Sequence, residues 1–84
     1  MVEVEEKLFP DGTISKLKEA SNKGDLRFLN AWNQLCARLD YLMSRKSNVG
    51  FEWKDDNIYV KGEEGEVTEI VDEIRKLGTR LHLW

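Results

Sequence analysis

The chain has 84 residues, a formal net charge of −3, and 40% apolar against 35% charged residues, which suits one domain spanning residues 1–84. Three tryptophans argue against a disordered segment, and the sequence has no apolar run long enough to cross a membrane. A single cysteine, Cys36, excludes an internal disulfide and favours a reducing, cytoplasmic setting.

The first predicted element is a half-buried strand at the start of the chain. Val2, Val4 and Leu8 alternate with charged residues, as a strand with one apolar face does. This acidic start lacks the basic and apolar regions of a secretory signal. The Pro-Asp-Gly sequence at 10–12 predicts a turn after the strand, because proline presets φ and glycine accepts a positive φ.

Residues 13–24 fit two interpretations. Ile14, Leu17 and Ala20 have helical spacing, so a short helical or irregular segment is the favoured interpretation. The same residues could instead form a second strand, which would make a hairpin through the 10–12 turn. That alternative adds one strand to the sheet.

The segment from Asp25 to about Lys46 predicts a long helix. Asp25 suits the N-cap position, and Arg45 and Lys46 suit the negative end of the helix dipole. The apolar stripe is wide, as expected of a helix that covers a sheet. Its members recur at helical spacing and are Phe28, Leu29, Trp32, Leu35, Cys36, Leu39, Leu42 and Met43.

A β-hairpin around a two-residue loop at 55–56 is the clearest prediction. This loop pairs Trp53 with Ile58 and Phe51 with Val60, which places four large apolar residues on the one face that is expected to be buried beneath the helices. Register matters because a slip of one residue would turn every side chain to the other face. A four-residue loop would keep Trp53 opposite Ile58 and stays open as an alternative.

A second helix and a final strand are expected after a break at 62–65. The helix has glutamates in its first turn and basic residues in its last turn, which matches the helix dipole at both ends. Gly78 fits the left-handed position that ends a helix. Residues 79–84 alternate in polarity and predict a short closing strand. The side of this strand that faces away from the core carries Arg80, His82 and Trp84.

The predicted order is therefore strand, long helix, hairpin, helix, strand. A four-stranded antiparallel sheet with two helices on one face satisfies this order, which is the ferredoxin-like βαββαβ arrangement of an α+β open-faced sandwich. The alternative fold starts with the N-terminal hairpin. Because ferredoxin-like domains have many unrelated functions, the fold class alone predicts none of them.

The sequence shows no catalytic or metal-binding constellation, so we expect a protein that is not an enzyme and uses no cofactor or metal. His82 is the only histidine, and no Cys or His pair has the spacing of metal ligands. Cys36 lies on the apolar stripe of the long helix, where cysteine acts as a small hydrophobic residue. The sequence around Asp55 and Asp56 lacks the central glycine and the acidic twelfth residue of an EF-hand calcium-binding loop.

The open face of the predicted sheet is the candidate partner-binding surface. Aromatic and basic residues alternate on it, and such residues stack bases or anchor protein interfaces. Its expected members are Lys54, Tyr59, Lys61, Arg80, His82 and Trp84. Glu3 and Glu5 share this face, where they are expected to pair with Arg80 and Lys61.

We therefore expect a small protein-binding module, such as an adaptor, an inhibitor or a regulatory subunit, whose partner could also be a second copy. Single-stranded RNA or DNA binding by the same face is one alternative. The carboxylates on that face weaken it, because they repel phosphate. A small-ligand-binding regulatory domain is another alternative, which follows from fold analogy alone.

Overall fold

The computed structural model describes residues 2–46 and 48–84. The elements in chain order are β1 (Glu3–Lys7), α1 (Thr13–Lys23), α2 (Leu26–Arg45), β2 (Gly50–Lys54), β3 (Asn57–Glu63) and α3 (Glu64–Arg80). β1 and β2 both pair antiparallel with β3, so the strand order is β1-β3-β2.

The α+β class is correct, but the predicted ferredoxin-like βαββαβ fold is wrong. The described residues form three strands and three helices, not four strands and two helices. Residues 13–23 form helix α1, which confirms the helical interpretation and rules out a hairpin through the 10–12 turn. No strand forms at 79–84, because α3 continues to Arg80 and the chain then folds back.

The end of α3 explains why the fourth strand is missing. Gly78 does not end the helix, and His82 takes the left-handed position instead, with φ 58°. The Leu83 N–H donates to the Gly78 carbonyl at 2.9 Å and the His82 N–H to the Thr79 carbonyl at 3.1 Å. This pattern is a Schellman motif, and it turns the last residues back onto the helix and away from the sheet.

Gly78 has a packing role inside α3. A Cβ atom at this position would collide with the six-membered ring of the Trp84 indole. Trp84 is half-buried and packs against the core, where Leu83 is fully buried. The terminal tryptophan therefore belongs to the core and not to an exposed strand.

Helices α1 and α2 follow one another after the turn at 10–12. The Thr13 hydroxyl donates to the Pro10 carbonyl at 2.7 Å at the start of α1. Gly24, with φ 70°, ends α1, and the Asp25 carboxylate caps α2 by accepting from the Phe28 N–H at 3.2 Å. A glycine suits position 24 because residues with a side chain rarely adopt a positive φ.

The helices lie mainly over one side of the sheet. α3 packs against β1 and β3, α2 packs against α3, and α1 packs against α2. Among the described elements, only β3 makes extensive contact with β2. The largest side chains with almost no exposed surface are Phe9, Leu8, Leu35, Ile70, Ile74, Leu83, Val60 and Val67.

Phe9, just after β1, lies at the centre of this core. Its ring centroid lies 5.2 Å from that of Trp32 on α2 and 6.2 Å from that of Trp84. The Asn57 side chain accepts from the Phe9 N–H at 3.1 Å and donates to the Phe9 carbonyl at 2.8 Å. It also accepts from the Ile58 N–H at 2.9 Å, so one buried amide satisfies three backbone groups.

We predict that Asn57→Ala destabilises the fold by about 2–4 kcal/mol, because it leaves buried backbone donors and an acceptor without partners. Urea denaturation of both proteins measures the loss. Asn30→Ala on the exposed side of α2 is the matched control, and its effect should stay within about 0.5 kcal/mol. Equal effects of the two substitutions would contradict the role of Asn57.

We predict that Trp84→Ala lowers the free energy of unfolding by about 2–4 kcal/mol. We also predict that Gly78→Ala destabilises the wild type but stabilises the Trp84→Ala variant. In the wild type, Gly78→Ala should cost about 1–3 kcal/mol, because the new methyl group displaces the indole. In the Trp84→Ala background the same change should stabilise the helix by up to about 1 kcal/mol. A double-mutant cycle in urea tests this, and a stabilising Gly78→Ala in the wild type would contradict it.

Candidate docking edge

The helix-free face of the observed sheet carries only part of the predicted binding set. Cross-strand register places alternate residues of the three strands on this face. Its members with side chains beyond glycine are Glu3, Glu5, Lys7, Glu52, Lys54, Asn57, Tyr59, Lys61 and Glu63. Asn57 differs from the others because its side chain is buried and bonded to the Phe9 backbone. Of the six predicted members of the open face, Lys54, Tyr59 and Lys61 lie here.

Ion pairs occupy most of the charges on the helix-free face. Lys54 reaches across β3 to Glu5, with 3.0 Å between Nζ and Oε1, and its ammonium lies 4.6 Å from the Tyr59 ring centroid. Lys61 pairs with Glu3 at 3.5 Å. The expected pairing of Lys61 with a first-strand glutamate is therefore present, whereas the other glutamate, Glu5, pairs with Lys54 and not with Arg80.

The structure does not place the other three predicted residues on this face. Arg80 is the last residue of α3 and is exposed, His82 is exposed in the Schellman motif, and Trp84 packs on the core. The prediction that these residues form a single patch is wrong, because it required a fourth strand. The sequence prediction thus combined residues from two separate parts of the molecule.

Arg80 instead lines an open groove between α2 and α3. The groove has a volume of about 620 Å³ and is also lined by Arg38, Glu73, Lys76 and Leu77. Arg38 is hydrogen-bonded to the Glu73 carboxylate. The groove is basic but partly neutralised, and it contains no buried polar group that would select a ligand.

Other signs of chemistry are weak in the described part of the chain. No group of three His, Cys, Asp or Glu side chains there could hold a metal ion. Burial raises the pKa of the half-buried Cys36 thiol, and the nearby Asp40 adds to this effect, so this thiol loses its proton less readily than an ordinary cysteine. None of the described helices is long and apolar enough to cross a membrane.

The hairpin turn determines which groups of β2 point outward. Asp55 and Asp56 have φ values of 53° and 55°, as in a two-residue type I′ turn, and the predicted register is confirmed. The pair that flanks such a turn is hydrogen-bonded, and hydrogen-bonded and non-hydrogen-bonded pairs then alternate. The N–H and C=O groups of Phe51 and Trp53 therefore point away from β3.

The two outer strands of the sheet differ in how their free edges are protected. At one end of β1, the Arg75 guanidinium donates to the Lys7 and Leu8 carbonyls at 2.9 and 3.3 Å. β1 also carries four charged side chains in five residues, and charge discourages strand pairing. Among the described residues, no hydrogen bond from outside the hairpin reaches the backbone of β2.

Trp53 makes this unprotected edge distinctive. It lies on the side of the sheet that the helices cover elsewhere, yet it is 61% exposed. The sequence predicted a buried Trp53, and that prediction is wrong because the helices lie over β1 and β3 and leave β2 uncovered. We define the docking edge as Gly50–Lys54, with the outward backbone groups of Phe51 and Trp53.

The sequence contained part of the signal for this edge. The 55–56 loop makes β2 and β3 neighbours, and β2 is an outer strand in the predicted fold as well as in the observed one. β2 also has fewer charges than β1. Its sequence did not show that the helices would leave Trp53 uncovered.

No protein-family model matches this chain, and no curated protein or solved structure is significantly similar to it.

We predict that Glu5→Gln lowers the pKa of Lys54 toward its ordinary value. The hydrogen bond and charge of Glu5 raise that pKa most, and Glu52 adds a smaller contribution, so Glu52→Gln should lower it less. Because the pKa is raised in the folded state, the stabilisation is present below the unfolded pKa and is lost as pH rises through the folded one. NMR titration of labelled lysine measures the shifts, and equal effects of the two variants would contradict this assignment.

Proposed function

We propose that this protein is a small, non-enzymatic protein-binding module that docks an extended segment of its partner along β2. Binding of this kind adds a strand to the sheet, so backbone hydrogen bonds supply affinity and side-chain contacts supply specificity. The proposal fits an adaptor, an inhibitor or a regulatory subunit that works in the cytoplasm.

The observation that carries the proposal is the combination of a free strand edge and an exposed tryptophan on the same strand. Phe51 and Trp53 direct four backbone groups outward, and Trp53 is 61% exposed beside them. Tryptophan is enriched among the residues that dominate binding energy at protein interfaces. An added strand would satisfy the backbone groups and cover part of the indole.

The difference between the two sheet edges supports β2 as the docking strand. Arg75 already uses backbone carbonyls at the end of β1, and α3 packs along that strand. Natural sheets protect an edge with charges or by covering it, and both devices are present at β1. Within residues 2–46 and 48–84, no helix covers β2 and no guanidinium binds its backbone, which leaves it accessible to a partner.

Nucleic-acid binding has less support than protein binding. The helix-free face presents four glutamates, and its three lysines, Lys7, Lys54 and Lys61, are already engaged by Asp11, Glu5 and Glu3. Phosphate attraction supplies most of the affinity for nucleic acids, and paired lysines offer little of it. The small-ligand alternative depended on the ferredoxin-like fold, which this chain does not have.

We predict that Trp53→Ala weakens partner binding about tenfold or more, because it removes an aromatic anchor at the interface. Panning a phage-displayed library of random peptides against the immobilised protein supplies the probes. NMR titration then locates the binding surface and measures affinity. Enriched peptides should perturb the amide resonances of 50–54, and the variant should stay folded because Trp53 is largely exposed.

Leu26→Ala is the matched control for this experiment. Leu26 is another large apolar residue, 70% exposed at the start of α2, and its removal should leave peptide affinity unchanged. Peptides that perturb a different surface, or that bind wild type and Trp53→Ala equally, would overturn the proposal. A library from which no peptide is enriched would also overturn it.

A further inference from the structure

We infer that the partner strand carries a lysine or arginine directly opposite Glu52, between two apolar residues that face Phe51 and Trp53. This inference rests on the proposed addition of an antiparallel strand to β2. It specifies the chemistry of the partner segment, which the free edge alone does not.

Glu52 is the charge on β2 that has no partner within the described structure. Lys54, the other charged residue of the strand, is bound to Glu5 and lies over Tyr59. No ion pair or hydrogen bond involves the Glu52 side chain among the described residues, and Glu52 is exposed on the helix-free face. An incoming cation could therefore pair with Glu52 without breaking an existing contact.

The ladder geometry brings the partner's side chain close to Glu52. The outward backbone groups belong to Phe51 and Trp53, so those two residues form the hydrogen-bonded pairs with an antiparallel partner. Glu52 then lies in a non-hydrogen-bonded pair, where the Cα atoms are about 4.5 Å apart and the side chains are closest. Opposite charges at such positions stabilise pairing, and like charges destabilise it.

The other face of the docked strand is apolar. Phe51 is half-buried against the core and Trp53 is exposed beside it. Both side chains lie on the face opposite Glu52, because residues alternate along a strand. The segment that fits this edge therefore reads apolar, basic, apolar in consecutive positions.

A second copy of this chain fits the edge less well. The antiparallel register that overlaps all five residues of β2 places Glu52 against Glu52 of the second copy, which is a repulsive pair. The register that pairs Glu52 with Lys54 of the copy overlaps only residues 52–54 and withdraws Lys54 from Glu5. Self-pairing therefore either opposes like charges or shortens the interface.

Two synthetic peptides test the inference. Each peptide has an extended core of five residues. The three central residues are Val-Lys-Val in one peptide and Val-Glu-Val in the other, and one threonine stands on each side of them. Wild-type protein should bind the lysine peptide about three- to tenfold more tightly, which corresponds to the energy of exchanging a favourable cross-strand pair for a repulsive one. NMR titration at low ionic strength gives both affinities and confirms that residues 50–54 respond.

Charge reversal of Glu52 provides the decisive comparison. Glu52→Lys should reverse the preference in favour of the glutamate peptide, and Glu52→Gln should reduce the ratio of affinities to near one. Asp40→Lys, on the exposed side of α2, makes the same change in net charge away from β2 and should leave the wild-type preference intact. Reversal by Asp40→Lys would show a long-range charge effect and overturn the inference.

The outcomes separate this inference from the proposed function. If both peptides bind β2 equally in wild type and Glu52→Lys, strand addition stands and the opposing cation is wrong. If neither peptide perturbs residues 50–54, strand addition itself fails. Sedimentation equilibrium of the wild type should show a monomer, and a dimer that Glu52→Gln strengthens would overturn the inference in favour of self-pairing.

Discussion

The fold depends on how Asn57 holds the backbone of Phe9. These residues are 48 positions apart, and the buried amide of one satisfies both backbone groups of the other. This contact fixes where β1 ends against β3, and it places the Phe9 ring between Trp32 of α2 and the terminal Trp84. Buried polar groups are costly unless they are fully hydrogen-bonded, so this arrangement tolerates little displacement. Three parts of the chain that are separate in sequence thus meet at one residue.

The position of this centre explains the asymmetry of the sheet. Phe9 follows β1, and α3 packs along β1 and β3 with Arg75 bound to the backbone at the end of β1. The helices consequently cover β1 and β3 more fully than they cover β2. β2 is held through its ladder with β3 and makes no extensive contact with any described helix, and that is why Trp53 stays exposed. The docking edge is a consequence of core packing and not a separate addition to the fold.

The helix-free face and the docking edge differ in the availability of their charges. On the face, Lys54 and Lys61 neutralise first-strand glutamates, so the alternation of aromatic and basic residues in the sequence has a local structural explanation. At the edge, backbone groups and Glu52 remain without partners in the described structure. An exposed aromatic face suggested binding from the sequence, whereas the structure directs attention to unsatisfied groups at the strand edge beside it.

Local patterns in the sequence predicted the long helix and the hairpin register and favoured a helix over a strand for residues 13–23, because each depends on spacing, turn chemistry and caps within a short segment. They did not determine the end of α3. A glycine such as Gly78 often marks a helix end. Here the Trp84 indole packs where a side chain at position 78 would lie, so Gly78 stays inside the helix and the turn comes at His82. That packing removed the predicted fourth strand and separated Arg80, His82 and Trp84 from Tyr59 and Lys61. The exposure of Trp53 likewise depended on which strands the helices cover, and that is decided by contacts between residues far apart in the chain.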